Sequence, residues 1–235
     1  MTRVNNKPIG RLSGRDFAVL HHVLRYRLTT IAALCRTVLP GLSANAAGKI
    51  VNRLCAAGYL QKYDMVHPGK YYVLGDQGVR LLGAGGHRTV SLGPQSLPTE
   101  YAVLAYATLG QHQRRRLTSD EVSLRCPGLK RSLADAPHCE DPTRGVLELV
   151  RVDLGGPVDH VVRKCHRDLV RRYRFPHFAR LVTQGEFRLA VITTTSAKAA
   201  AIRQSLDRRD WPGGLMIHFS VIPELLTIMT SHSNA

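Results

Sequence analysis

Acidic residues are scarce in this sequence relative to basic ones. Its 235 residues include 17 Asp and Glu against 33 Lys and Arg, so the formal net charge is +16 at pH 7 and the isoelectric point lies near 10.3. Lysine is scarce as well, and most of the excess charge is carried by arginine. Guanidinium groups bind phosphates and guanine edges with paired hydrogen bonds, so this composition favours a polyanionic partner such as a nucleic acid. The alternative is a basic protein that is simply well solvated.

The patterns of secreted and membrane proteins are also missing. No stretch approaches the ~18 consecutive apolar residues that cross a bilayer, and the N-terminus lacks the apolar segment of a signal peptide. The five cysteines are odd in number and scattered, with no C-x-x-C pair. We therefore expect reduced thiols, a cytoplasmic location and no membrane partner.

Several catalytic signatures are absent too. The chain has no Walker A motif, no Gly-x-Gly-x-x-Gly loop after a strand and no Gly-x-Ser-x-Gly elbow. The adjacent pairs His138-Cys139 and Cys165-His166 lack the two-to-four-residue spacing that is typical of zinc ligands. We expect no small-molecule ligand, no metal and no cofactor.

A change in composition divides the chain into two parts. Residues 84–99 are rich in Gly, Ser and Pro without a sustained period, which is typical of a linker. Residues 1–83 carry 12 basic and 3 acidic side chains, a net charge of +9. Residues 100–235 alternate segments of helical and strand character, which indicates an α/β domain.

The first part of the chain predicts three helices followed by a hairpin. Ser13 opens a capping box with Asp16 at the start of the first helix. Thr29 is expected to cap the second helix and Ser43 the third. Two short aromatic runs follow, and the Pro68-Gly69 turn separates them.

This order resembles the winged helix-turn-helix DNA-binding domains of bacterial regulators. The resemblance rests on "RLCAAGYLQKY" and "PGKYYVLGDQGVRLL". It implies that the third helix enters the major groove and that the hairpin lies alongside. With Val51 and Leu54 facing the core, polar side chains occupy the opposite face of that helix. The residues expected to contact DNA in this domain are Ser43, Asn45, Lys49, Asn52, Arg53, His67 and Lys70.

Other roles are open for some of these residues. Lys49 is also consistent with a solvated surface lysine, and Arg53 with an ion pair to Asp16 or Asp64. Three tyrosines are expected to pack within the hairpin rather than to stack on bases, namely Tyr63, Tyr71 and Tyr72.

The C-terminal part predicts a mixed sheet with flanking helices. A helix from Glu100 precedes three segments of strand character, "LTSDEVSL", "RSLADAPHC" and "GVLELVRVDL". A long basic helix, a strand, a helix and a final strand follow. This order resembles the restriction-endonuclease-like PD-(D/E)-x-K fold on "LADAPH", "ELVRVDLGG" and the helix ending "RRYRF". Combined with a winged helix, it resembles the replication-relaxation family of plasmids and integrative elements.

That resemblance implies a nuclease site in which two acids hold Mg²⁺ and a lysine stabilises charge. Asp135 is the candidate for the first acid, and Glu148 or Asp153 for the second. Because no Asp/Glu-x-Lys triplet exists in the chain, Lys164 in the following helix is the candidate lysine. Glu148 and Asp153 are an odd number of residues apart, which places them on opposite faces of a regular strand. Arg151 is expected to pair with Asp153 or to contact a phosphate.

The sequence therefore predicts an α+β protein, with a winged helix-turn-helix domain in residues 1–83, a linker in 84–99 and a non-catalytic restriction-endonuclease-like α/β domain in 100–235. We expect a sequence-specific double-stranded DNA-binding protein that regulates transcription, replication or transfer of a bacterial mobile element. One alternative is a metal-dependent nuclease or nickase, and only this alternative would need Mg²⁺. The other is a protein adaptor in a DNA-bound assembly.

Further contacts are expected from outside the winged helix. A homodimer on a palindromic site is expected, because one short helix reads few bases, and the apolar surface from Phe187 onward is its candidate interface. Cationic residues expected to extend the DNA footprint in this interpretation are Arg114, Arg115 and Arg116, with Arg163, Lys164, Arg167, Arg171 and Arg172 on the long helix.

Overall fold

The chain forms two compact units in a computed structural model that describes residues 12–66, 69–211 and 213–231. Unit 1 comprises Met1–Leu104 and Thr227–Ala235, and unit 2 comprises Ala105–Leu226. Both helices and sheets are present, so the fold is mixed α+β. Within the described ranges, no helix combines the length and the apolar character needed to cross a membrane.

Unit 1 begins with helices α1 (Gly14–Tyr26), α2 (Ile31–Thr37) and α3 (Ala44–Ala56), a hairpin of β1 (Leu60–Met65) and β2 (Gly69–Leu74), and helix α4 (Asp76–Leu82). The apolar sides of α1 and α3 form one core with α2 and the hairpin. Three helices followed by a two-stranded antiparallel sheet is the order predicted from the sequence.

The helix caps confirm two predictions and correct a third. Ser13 forms the predicted capping box with Asp16, and Ser43 caps α3. The cap of α2 is Thr30, whose hydroxyl accepts the Ala33 N–H. Thr29 is occupied elsewhere, because its backbone N–H and C=O both bond to Tyr72 of β2 at 2.9 Å.

The segment predicted as a linker packs against the hairpin. It contains a 3-10 turn, Gly86–Arg88, and the start of α5 (Ser96–Thr108). The Tyr63 hydroxyl donates a hydrogen bond to the Thr89 carbonyl at 2.9 Å, and the buried Leu92 donates its N–H to the Tyr71 hydroxyl at 3.0 Å. The Gly and Ser content of residues 84–99 does not predict this packing, because the partners are tyrosines of another segment.

Unit 2 contains a five-stranded sheet in the order β3-β4-β5-β6-β7. Its strands are β3 (Arg115–Leu117), β4 (His138–Asp141), β5 (Val146–Val152), β6 (Phe187–Thr193) and β7 (Met216–Val221). The first two pairings are antiparallel and the last two parallel. Its helices are α6 (Ser119–Arg125), α7 (Arg131–Ala134), α8 (Val158–Tyr173), α9 (Pro176–Thr183) and α10 (Ser196–Leu206), followed by α11 (Glu224–Ser231).

The two faces of β5 have different surroundings. Leu147 and Leu149 join the apolar core that α8, α9 and α10 share with the sheet. Glu148 is fully buried on the other face of the strand. The parallel strands are connected through these helices, as in other α/β sheets.

Two local predictions in unit 2 are wrong. "LTSDEVSL" forms the end of β3 and helix α6, which Thr118 and Glu121 begin with a capping box. Asp135 ends the short helix α7 instead of lying in a strand, and the strand begins only at His138. Phe187 itself is fully buried in β6, but the edge strand β7 carries half-exposed apolar residues, so the candidate dimer interface from Phe187 onward stays a prediction.

Candidate nucleic-acid interface

The exposed face of α3 carries polar residues that the sequence predicts to contact DNA. The Ser43 hydroxyl accepts the Ala46 N–H at 3.2 Å and so fixes the start of the helix. One side of α3 is buried in the unit 1 core through Ala47, Val51 and Leu54. The exposed side presents Asn45, Lys49, Asn52 and Arg53. Side chains able to bond to base edges or phosphates therefore share one helix face.

Arg53 also holds α3 against α1. Its guanidinium forms an ion pair with the carboxylate of Asp16, which is 1% exposed and also accepts hydrogen bonds from the backbone and hydroxyl of Ser13. Burial alone would raise the pKa of Asp16, but these hydrogen bonds and the charge of Arg53 outweigh it and lower the pKa. This ion pair is one of the roles that the sequence left open for Arg53, and a DNA contact stays a prediction because its side chain is still 44% exposed.

The hairpin places Lys70 near its tip. Lys70 is exposed on β2, directly across from Asp64 on β1. His67, the other predicted contact at the tip, lies outside the described residues. The tyrosines pack as predicted, with the rings of Tyr63 and Tyr71 stacked at 5.5 Å between centroids. Lys70 is thus one of two exposed lysines in the described hairpin with the chemistry to contact a phosphate, the other being Lys62 of β1.

The cationic triplet at the start of the sheet is engaged within unit 2. Arg114 is buried, its Nε lies 2.8 Å from Glu148 Oε2, and its guanidinium lies over the Tyr106 ring at 4.2 Å. Arg115 pairs with Glu121 and Glu140. Arg116 is half-buried in β3 opposite Cys139. Arg114 is therefore internal and does not belong to a DNA surface, whereas a DNA contact of the exposed Arg115 and of Arg116 stays a prediction.

Glu148 is held by three donors. Its carboxylate accepts hydrogen bonds from Arg114, from Arg188 Nη1 at 2.9 Å and from the Tyr106 hydroxyl at 2.9 Å. Burial and the charge of Glu148 raise the pKa of Tyr106, which keeps its phenol protonated as a donor. Both carboxylate oxygens are thus engaged by protein groups.

The other residues implied by a nuclease resemblance have separate surroundings. Asp135 is exposed and bonds to Ser119 and Arg131. Asp153 is buried beyond the end of β5, accepts the Gly155 N–H, and lies 4.0 Å from Lys198 Nζ. Lys164 is exposed on α8. Among the described residues no three His, Cys, Asp or Glu side chains group as metal ligands would.

Arg151 pairs across the core instead of along its own strand. The sequence predicts a partnership with Asp153 or a phosphate, but Arg151 forms an ion pair with Asp168 of α8. Arg172 is fully buried, lies 3.4 Å from the same carboxylate, and donates to the Leu133 carbonyl at 2.9 Å. Burial lowers the pKa of both arginines to about 10. Arg172 is therefore an internal residue and not part of the exposed basic face of α8.

Lys198 makes contacts with Gly156 and Asp153 that the sequence does not predict. Its Nζ donates to the Gly156 carbonyl at 2.6 Å and neighbours Asp153, so it fastens the Gly155-Gly156 turn to α10. Lys198 and Asp153 are far apart in sequence, and no short motif joins them. Only the parallel pairing of β5 and β6 brings their elements together.

Comparisons with models of known protein families, with curated protein sequences and with solved structures found no match to this chain. The functional argument therefore depends on the residues and the geometry described above.

Proposed function

We propose that this protein binds double-stranded DNA in a sequence-specific manner and regulates transcription, replication or transfer of a bacterial mobile element. In this proposal unit 1 contains a winged helix-turn-helix, α3 enters the major groove, and the hairpin lies against the backbone. Unit 2 is a non-catalytic domain with a restriction-endonuclease-like arrangement, as the resemblance in the sequence implies.

The exposed face of α3 is the observation that carries this proposal. A capped, 13-residue helix with a buried apolar side presents two Asn, one Lys and one Arg to solvent. Amide side chains pair with adenine, and cationic side chains pair with guanine or phosphates. The net charge of +16 supports the same partner, because it raises the association rate with a polyanion.

We further propose that two copies bind together on a palindromic site. A single short helix contacts too few base pairs for useful specificity, and paired helices double that number. Analytical ultracentrifugation of the protein with a palindromic duplex tests this. We expect two protein chains per duplex, and one chain per duplex at saturating protein would contradict the dimer.

The sequence-specific activity is tested by selecting duplexes from a random pool and then comparing two variants. We expect the selection to yield a consensus site. Lys49→Ala should reduce the preference for that site over unrelated DNA by about tenfold or more, because each good base contact contributes ~1–3 kcal/mol.

The matched control is Arg80→Ala, which removes one exposed positive charge from α4 of the same unit. We expect this variant to keep the sequence preference of the original protein. A selection without a consensus would contradict the proposed function, and equal effects of Lys49→Ala and Arg80→Ala would contradict the placement of α3.

A metal-dependent nuclease is the second candidate, and the pair of Asp153 and Lys198 is the observation that favours it. An acid and a lysine 4.0 Å apart beyond the end of a central strand are two parts of such a site. Incubating end-labelled duplex with the protein, with Mg²⁺ or with a chelator, decides between the candidates. We expect intact DNA in both lanes. Cleavage in Mg²⁺ that Asp153→Asn abolishes would establish the nuclease.

A further inference from the structure

Helix α8 exposes a row of cationic side chains, which we call the α8 basic face and define as Arg163, Lys164, Arg167, Arg171 and Arg174. Arg163, Arg167, Arg171 and the C-cap residue Arg174 follow one another at spacings of four, four and three residues, and Lys164 adjoins Arg163 and precedes Arg167 by three, so they lie along one side of the helix. From Arg163 to Arg174 the row is about 16 Å long at 1.5 Å per residue. The apolar residues of α8 face the opposite way, into the unit 2 core.

These five cations have no acidic partner, unlike several other arginines of unit 2. Within the described part of the chain, none of the five forms an ion pair, whereas Arg115, Arg125 and Arg131 all do, and so does the buried Arg114. Arg163 Nε contacts only the backbone carbonyl of Asp159, at 3.3 Å. Among the described residues of unit 2, exposed Arg144 and Arg180 also form no ion pair, but the five follow one another along a single helix, so unpaired positive charge is concentrated on this face.

The groups around the row do not neutralise it. Asp168, the acid inside the same stretch of α8, is half-buried and paired with Arg151 and Arg172. Exposed Asp159 lies in the first turn of the helix, four residues before Arg163, so it neighbours only that one cation of the row. The next helix, α9, adds exposed His177 and Arg180.

We propose that the α8 basic face is a second DNA-binding surface, one that binds the phosphate backbone of a duplex without reading its sequence. Its exposed side chains are guanidinium and ammonium groups, which pair with phosphates. A 16 Å row spans about five phosphates of one strand at ~3.4 Å of axis per phosphate. This inference rests on the proposed function, since it assigns unit 2 a share of the same duplex.

An anionic membrane fits the same charge less well. Helices that lie on bilayers insert an apolar face, but Val161, Val162, Cys165 and Leu169 of α8 are buried within the protein. The surface therefore offers charge without an apolar anchor, which suits a phosphate backbone in water.

The test measures the salt dependence of binding to a labelled duplex of arbitrary sequence by fluorescence anisotropy. Between roughly 50 and 200 mM KCl, each phosphate contact changes the binding constant about threefold to fourfold, so this range resolves the loss of two contacts. The variant carries Arg167→Gln and Arg171→Gln. We expect the slope of log K against log salt to fall by about 1.8, since each lost phosphate contact reduces it by ~0.9. Circular dichroism and thermal unfolding verify that the variant is folded.

The matched control carries Lys130→Gln and Arg144→Gln, which remove two exposed charges of unit 2 outside α8. We expect its slope to equal that of the original protein. An unchanged slope for the α8 variant, or an equal fall for the control, would overturn the proposal. A loss of binding to phosphatidylserine vesicles with an unchanged DNA slope would assign the surface to membranes and overturn it too.

The outcome is separable from that of the proposed function. Lys49→Ala should reduce sequence preference and leave most of the salt slope on arbitrary DNA, whereas the α8 variant should reduce that slope and leave the preference. A protein that selects a consensus site but shows no slope change in the α8 variant would refute this inference alone. A protein that binds no duplex at all would refute both.

Discussion

At the scale of single residues, Glu148 acts as a structural counter-ion for two guanidinium groups, the buried one of Arg114 and that of Arg188, whose side chain is 11% exposed. We expect Glu148→Gln to lower the free energy of unfolding by about 3 kcal/mol or more, because Arg114 and Arg188 would remain in the protein interior without a negative charge. Urea denaturation followed through Trp211, a residue of unit 2, measures the change.

The control for Glu148 is Asp120→Asn, which breaks an ion pair between two exposed side chains, Asp120 and Arg131. Its expected cost is below about 1 kcal/mol. Similar losses in both variants would mean that the buried network contributes no more than a surface pair.

Two adjacent histidines allow a test of burial at acidic pH. His22 is buried in α1, and desolvation lowers its pKa to about 4, whereas His21 is exposed. The unfolded chain, with an ordinary histidine pKa near ~6.5, binds this proton more readily than the folded chain. Stability from His22 is therefore complete above about pH 6.5 and is lost as the pH falls toward 4.

We expect His22→Phe to reduce the loss of unfolding free energy between about pH 7 and pH 5 by ~2 kcal/mol, since that loss is the protonation of one buried histidine. Chemical denaturation at the two pH values measures it, and His21→Phe is the control. An equal pH dependence of the unfolding free energy in the original protein, His22→Phe and His21→Phe would contradict the prediction. It would mean that His22 binds its proton equally well in the folded and unfolded chains.

At the scale of secondary-structure elements, the cap of α3 separates stability from DNA contact. We expect Ser43→Ala to cost about 1 kcal/mol, because the Ala46 N–H loses its partner. Ser43→Asp should keep the cap and the stability, but its negative charge near the DNA should weaken binding. Thermal unfolding and anisotropy measure the two effects. Tighter DNA binding by Ser43→Asp would place this helix end away from the phosphates.

Strong local signals made most of unit 1 predictable from its sequence. Ser13 and Ser43 are followed by apolar residues at helical spacing, and both begin helices. The same kind of signal occurs at Thr118 and Glu121, where a capping box begins α6 inside a segment predicted to be a strand. Capping residues therefore carry enough local information to locate the start of these helices.

Contacts between distant segments limited the prediction of the site. Arg114, Arg115 and Arg116 look like a free basic cluster in the sequence, yet Arg115 meets a carboxylate on the neighbouring strand, Glu140. Arg151 pairs with Asp168 because α8 packs on the face of β5 that holds Arg151. Such pairs depend on strand order and register, which composition and spacing do not specify.

At the scale of the whole molecule, the end of the described chain belongs to the first unit. Helix α11 begins in unit 2, and its residues from Thr227 onward belong to unit 1. Ile228 in this segment is 1% exposed, so it is part of a packed interior.

We expect Ile228→Ala to lower the free energy of unfolding of unit 1 by about 2–4 kcal/mol through the cavity it leaves. Hydrogen exchange of unit 1 amides measures the effect. Leu226→Ala, at a half-exposed position of the same helix, should change exchange much less. In the Ile228→Ala protein, exchange that is accelerated in unit 1 but not in α10 of unit 2 would support the assignment of Ile228 to unit 1. Exchange that is accelerated mainly in α10 would contradict that assignment.

The return of the chain to its first unit has a consequence for protein synthesis. A ribosome makes Met1–Leu104 first, but it supplies the last part of unit 1 only after the whole of unit 2 has emerged. A polypeptide released before Thr227 therefore contains α3 but lacks part of unit 1, to which that helix belongs. Interrupted translation would thus yield fragments whose first unit is incomplete, and a cell's proteases act preferentially on such fragments.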